Sequence, residues 1–303
     1  MYAGIRDDSL EWYCKKSGCS DYIDGLKRLG LRGLEIHVDR SLRAPDYSKP
    51  ASAKGATVDL GDPAVARRVK EIFTEAGVTV SAVLIENDFG RENIEAEIDW
   101  MIGAARVAES LGTDVVRINS VMSPSPEISR EKYVEKVVGA LRQALRETHA
   151  TCFAIENHGV MGNEPEFIRA VLRGVSDQRL GLTLDTGNFY WAGYPLSTVY
   201  DLVKEFAPST LHTHLKNMTF SPAEREKRRD WCRDWPKEAR PLYEGDIDYS
   251  KVFETLQAAG YGRDVTIEDE SLGNYPAQEA IEILQRDAKY VQGLLEKLRK
   301  PAD

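Results

Sequence analysis

The chain has 303 residues, 42% of them hydrophobic, and its 49 acidic side chains outnumber 40 basic ones to leave a net charge of −9. That length allows one large core, so one domain over residues 1–303 is the simplest organisation. The acidic balance removes any general attraction to phosphate backbones or anionic lipid, and neither nucleic acid nor membrane is expected as a partner.

No apolar run reaches the ~20 residues that span a bilayer. The opening MYAGIRDDSLEWYC lacks the basic-then-apolar layout of a signal peptide, so cytoplasmic residence is the expectation. Cys14, Cys19, Cys152 and Cys232 are too few for a disulfide scaffold in a chain this long, and reduced thiols are expected. A zinc knuckle from Cys14 and Cys19 lacks a second pair at matching spacing.

Eight short β-rich runs alternate with longer segments of helical character, at 2–5, 33–37, 79–85, 114–119, 152–156, 180–184, 210–216 and 265–268. Between them the pattern predicts helices near 63–76, 94–111, 130–148, 165–172, 196–206, 249–259 and 276–298. Ala105, Val107, Ala108 and Leu111 recur as a buried helical stripe. Asp62 before Pro63 reads as a helix start, and Gly77 and Gly260 read as stops ahead of strands three and eight.

Two stretches break this rhythm. Residues 41–60, with Pro45, Pro50 and Gly55, read as a long loop after strand two. Residues 221–240 form a charged insertion after strand seven, with Trp231 and Trp235 four apart on one helical face. In a barrel both would overlie the catalytic rim. The insertion is then a lid, with Trp231 as a substrate contact, or a solvated helix with packed tryptophans, or a contact between subunits of a homo-oligomer.

The potential ligands sit at strand ends. Twenty-nine residues separate Glu156 from Asp185 and Asp185 from His214, and Glu268 follows 54 later. A βα unit uses about this length of chain, so successive strand ends return to one rim. Periodicity alone also admits an open doubly wound sheet. The convergence of ligands from strands five to eight favours a closed (β/α)8 TIM barrel.

Strand seven, LHTHLK, places His212, His214 and Lys216 on one face, which a polar site must satisfy. His214 is the ligand candidate, and His212, deeper in the barrel, supports it or meets substrate. Glu156 ends an apolar run and is costly there unless paired or metal-bound; His158 shares its face. Asp185 precedes a glycine turn, where an aspartate caps a helix or ligates, and Asn188 follows as a hydrogen-bonding group for substrate or ligand. Glu268 lies closer to the strand body than Glu270. Other rim candidates are Glu35 and His37, Glu86 and Asn87, and Arg117 with Asn119; Glu86 and Arg117 meet substrate or form an ion pair inside the barrel.

The motifs GLEI at 33–36, ENHG, LDTGN, HTHLK, EGDIDY and TIEDE resemble, in order and along most of the chain, the xylose-isomerase-like TIM barrels. That superfamily holds tagatose-type ketose epimerases, inosose dehydratases, hydroxypyruvate isomerases and endonuclease IV. The resemblance implies a metal quartet of Glu156, Asp185, His214 and Glu268, the same four that the spacing selects. There are departures. Asn188 stands where the epimerases usually have a histidine, Asn217 where an aspartate usually follows the strand-seven lysine, and the further ligands of a three-metal cluster are not placed.

The expected activity is therefore a metal-dependent isomerase or epimerase acting on a small keto sugar or polyol through an enediolate. One divalent cation is expected, manganese first, with magnesium, cobalt or zinc also compatible. Glu156 and Glu268 would exchange the proton, Lys216 would stabilise oxyanion charge, and His158 would relay protons. The rivals are a lyase that eliminates water or an aglycone from a keto-inositol or 3-oxo-sugar, and a non-catalytic sugar- or metal-binding barrel.

Overall fold

A computed structural model describes residues 1–53, 55–232 and 234–299. Eight parallel strands close into a barrel: β1 (Tyr2–Arg6), β2 (Gly33–His37), β3 (Thr79–Leu84), β4 (Val115–Ile118), β5 (Cys152–Glu156), β6 (Leu180–Asp185), β7 (Thr210–Leu215) and β8 (Asp264–Ile267). Each pairs with its sequence neighbours, and β8 closes on β1 with Tyr2 opposite Asp264 and Ile5 opposite Ile267. Helices cover the outer face. With one side of every strand against helices and the other against the barrel interior, strands such as Leu180–Asp185 are buried at every position.

The helix Pro63–Glu75 starts as its sequence indicates. Asp62 Oδ1 accepts from the Ala64 amide at 2.8 Å, proline occupies the first turn, and Gly77 takes the left-handed φ of 70° that the chain needs to turn into β3. The helices Ile94–Leu111 and Leu196–Phe206 have the expected bounds.

Three segments differ from expectation. Two helices, Asp7–Ser17 and Tyr22–Leu29, lie between β1 and β2, where charge-rich sequence masks the apolar stripe of Leu10, Tyr13 and Cys14. Residues 41–60 carry a two-stranded antiparallel ribbon, Arg43–Pro45 against Thr57–Asp59. Tyr47 in its loop is buried and donates to Asp7 Oδ2 at 2.8 Å.

The charged insertion also differs: among its described residues the α-helix is Trp235–Glu238, so Trp231 is not helical and does not share a helical face with Trp235. The side chain of Trp235 lies outside the described part. Backbone bonds dock the insertion on the turn after β6, from Leu196 N to Arg225 O, Arg229 N to Gly193 O and Cys232 N to Trp191 O. Trp231 packs edge-on against Trp191 with centroids 4.7 Å apart, and Arg225 pairs with Asp246 at 2.7 Å.

All four cysteines are free thiols. No helix among the described residues is long and apolar enough to cross a membrane.

Candidate metal centre

Register brings the strand-end groups together. Asp185 lies opposite His214, His214 opposite Thr266, and Glu156 opposite Thr183. Asn157 locks the β5 and β6 ends: its Nδ2 donates to Asp185 O at 2.7 Å and its Oδ1 accepts from Asp185 N at 2.8 Å. One donor atom each from Glu156, Asp185, His214 and Glu268, all buried, falls within 4.8 Å of the others.

Each donor is held by a second contact. Glu156 Oε2 takes Arg117 Nη2, while its Oε1 accepts from Asn188 Nδ2 at 3.0 Å and lies 3.4 Å from His214 Nδ1. Glu268 Oε1 takes Arg6 Nη1, and its Oε2 is 3.2 Å from His214 Nδ1. Asp185 Oδ1 accepts from the Asn188 amide at 2.9 Å. Lys216 Nζ stands 3.0 Å from both Asp185 Oδ2 and Glu268 Oε2 and 3.1 Å from Glu270 Oε1.

These residues fit a divalent cation on three counts. Ligand atoms around one such ion lie about 3 to 4.5 Å apart at ordinary bond lengths. Asp185 Oδ2 and Glu268 Oε2 are buried yet accept no well-angled hydrogen bond, despite the nearby ammonium. The charge balance agrees: the buried carboxylates of Glu35, Glu156, Asp185, Asp264 and Glu268 exceed the cations of Arg6, Arg117 and Lys216 by two. A buried excess of that size needs compensation.

In a protein without such an ion, protons answer the deficit. Burial pushes Asp185 up to about 6 despite Lys216. Burial lowers His214, but the Glu35 and Glu268 carboxylates outweigh it and raise the ring to about 9. Burial and the cations of Arg117 and Lys216 drop His158 to about 3. Its imidazole, one-third exposed, stands at the mouth with Nδ1 3.4 Å from Asn119 Oδ1 and 3.9 Å from Glu156 Oε2.

The side chains expected to meet substrate mostly contact protein instead. His212 is fully buried between Glu35, at 2.9 Å, and Asp264, at 2.8 Å, so it lies behind His214. Asn188 is fully buried and holds Glu156. Arg117 pairs with Glu156 rather than with Glu86, which is exposed beyond β3. Trp231 faces Trp191.

Arg6, Asp264 and Asn157 escaped the sequence reading. Alternation offered the signal, because Asp264 shares a face with Thr266 and Glu268, and Arg6 shares one with Gly4. Asn217 also has a physical account. Its amide donates to Leu242 O at 2.9 Å and Ile247 O at 3.0 Å, a double donation that an aspartate cannot make.

The family description Xylose isomerase-like TIM barrel matches residues 23–289. The chain belongs to that family. Among solved structures it is similar to the IolI protein with a bound zinc atom, at 16% identity and a TM-score of 0.68 over 98% of this chain and 99% of that one. It is also similar to the probable 3-DHS dehydratase AsbF of Bacillus anthracis, at 15% identity and TM-score 0.66, covering 96% and 99%. A third is the 3-keto-D-glucoside 4-epimerase YcjR of E. coli, at 15% identity and TM-score 0.64, covering 95% and 99%. At such identities the likeness is one of fold. By their names, these neighbours include both an epimerase and a dehydratase.

Proposed function

We propose that the protein is a divalent-metal-dependent isomerase or epimerase of a small keto sugar or polyol, working by proton abstraction beside a polarised carbonyl through an enediolate. The observation that carries this reading is the meeting of Glu156, Asp185, His214 and Glu268 at one rim. Those four would hold the cation, with manganese favoured by the mixed oxygen and nitrogen donors. When bound it supplies Lewis-acid polarisation of a carbonyl and its neighbouring hydroxyl, worth several kcal/mol.

The chain's own groups divide the remaining work. Glu156 and Glu268 reach the rim from different strands, β5 and β8, so one would remove the α proton and the other would return one from the opposite face. Arg117 and Arg6 fix the planes of these carboxylates; against the burial of Glu268, Lys216 and then Arg6 hold its carboxyl well below the ordinary range. Lys216, drawn well above its ordinary range by Asp185 and Glu268 although burial opposes them, stays an ammonium that stabilises oxyanion charge. His158, held neutral at physiological pH by burial and by Arg117 and Lys216, is too weak a base to store a proton, so it relays at the mouth by accepting at one ring nitrogen as it releases from the other.

A lyase ranks second. Elimination needs a group that protonates the departing oxygen, and a neutral His158 and a strongly held Lys216 are both weak acids for that step. The similarity to a dehydratase keeps this reading in the test. Metal-loaded protein is offered a panel of ketoses in deuterated water. Deuterium at the α carbon with product mass otherwise conserved is expected; loss of water or an aglycone identifies the lyase, and no exchange with any ketose removes the isomerase reading.

A further inference from the structure

Glu35 is buried inside the barrel and accepts from two imidazoles at once, from His212 Nε2 on Oε1 and from His214 Nε2 on Oε2, each at 2.9 Å. Arg6 Nε stands 3.8 Å from the second oxygen. An ionised carboxylate has acceptors only, so Nε2 of both rings must carry hydrogen. In a neutral His214 this leaves the lone pair on Nδ1. Nδ1 is also the atom that faces Glu268 Oε2 at 3.2 Å and Glu156 Oε1 at 3.4 Å.

We propose that Glu35 is the positioning residue that selects His214 Nδ1 as the nitrogen donor of the cation site, with His212 and Asp264 bracing Glu35 from behind. This rests on the divalent-cation reading above. His212 sits edge-on to His214 with centroids 5.2 Å apart, and its Nδ1 lies 2.8 Å from Asp264 Oδ2. Asp264 is anchored in turn: Thr266 Oγ1 donates to its Oδ2 at 2.8 Å, and Tyr261 OH donates to its backbone oxygen at 2.8 Å. The brace thus runs β8, β7, β2 and back to β7, through four buried side chains. Without Glu35 nothing on this path dictates which His214 nitrogen carries hydrogen, and the ring loses its fixed orientation. Partners placed this way behind a ligating histidine typically change metal affinity 10–100-fold when removed.

Two measurements test it. In wild-type protein loaded with Zn²⁺, long-range ¹H–¹⁵N NMR is expected to show His214 protonated at Nε2 with Nδ1 shifted by the metal; hydrogen on Nδ1 would overturn the proposal. In Glu35→Gln, Co²⁺ is expected to bind about 10–100-fold more weakly with altered visible bands, and Glu35→Asp is expected to recover part of both. Co²⁺ affinity within threefold of wild type and an unchanged spectrum in Glu35→Gln remove this inference alone. Failure of the wild type to bind Zn²⁺, Co²⁺ or Mn²⁺ removes the cation reading and the inference together. Should Glu35→Gln not fold, the wild-type NMR arm decides.

Discussion

The two halves of the barrel contribute differently to the site. Strands β5 to β8 carry the donor cluster, whereas β1, β2 and β4 carry Arg6, Glu35 and Arg117, which grip the far atoms of Glu268, His214 and Glu156. Asp185 is held within its own half, by Asn188 and Lys216, and the same two side chains also reach Glu156 and Glu268. A donor group works when its lone pairs are both aimed and left ionised, and the first half of the chain does most of that aiming. The proposed donors of one half are therefore oriented by side chains of the other.

The comparison breaks first if the donor half is dispensable. Glu268→Gln and Glu156→Gln are expected to lower metal-dependent α-proton exchange by about 10³-fold or more, since each removes a donor and a base; deuterium incorporation is the readout. An effect below tenfold in both would take these glutamates out of the chemistry.

The holding half is tested by Arg117→Met, which strands Glu156 as a buried unpaired carboxylate. A cost of about 3–5 kcal/mol is expected in urea unfolding of metal-free protein, partly recovered by adding Mn²⁺. A cost below about 1 kcal/mol would mean that the guanidinium is not needed to hold Glu156.

Asp7 sharpens the same half through pH. Burial raises this carboxyl from 3.8 to about 7, against the opposing bonds from Tyr47 and His37. The folded state then holds a proton that the unfolded state has released between about pH 4 and pH 7. Wild-type stability should fall through that window as pH rises, and Asp7→Asn should flatten the slope, becoming the more stable protein at pH 8 by on the order of 2–4 kcal/mol. Parallel stability curves for the two proteins would contradict this.

A smaller effect separates the two uses of the insertion. Trp231→Ala should cost about 1–2 kcal/mol of stability with KM unchanged, because the ring packs on Trp191. A tenfold rise in KM at constant stability would return Trp231 to the substrate. Smallest of all, Asp114→Asn should change stability by less than about 1 kcal/mol, although Arg263 grips Asp114 with two bonds of 2.6 and 2.7 Å, because both side chains are well exposed.

The sequence by itself determined the barrel and singled out the four proposed donors. Alternating strand and helix periods, a glycine after each of two helices, and acids or a histidine at strand ends are local signals, legible within a few residues. Separations of 29, 29 and 54 residues then predicted their convergence on one rim. The tertiary structure alone decided who holds those donors, because Glu35 and His214 are 179 residues apart and Arg6 and Glu268 are 262 apart. It also decided that Asn188, His212 and Arg117 face protein, and that the insertion docks on the turn after β6. Such contacts depend on how the first strands register against the last when the barrel closes, and no short stretch of chain encodes that geometry.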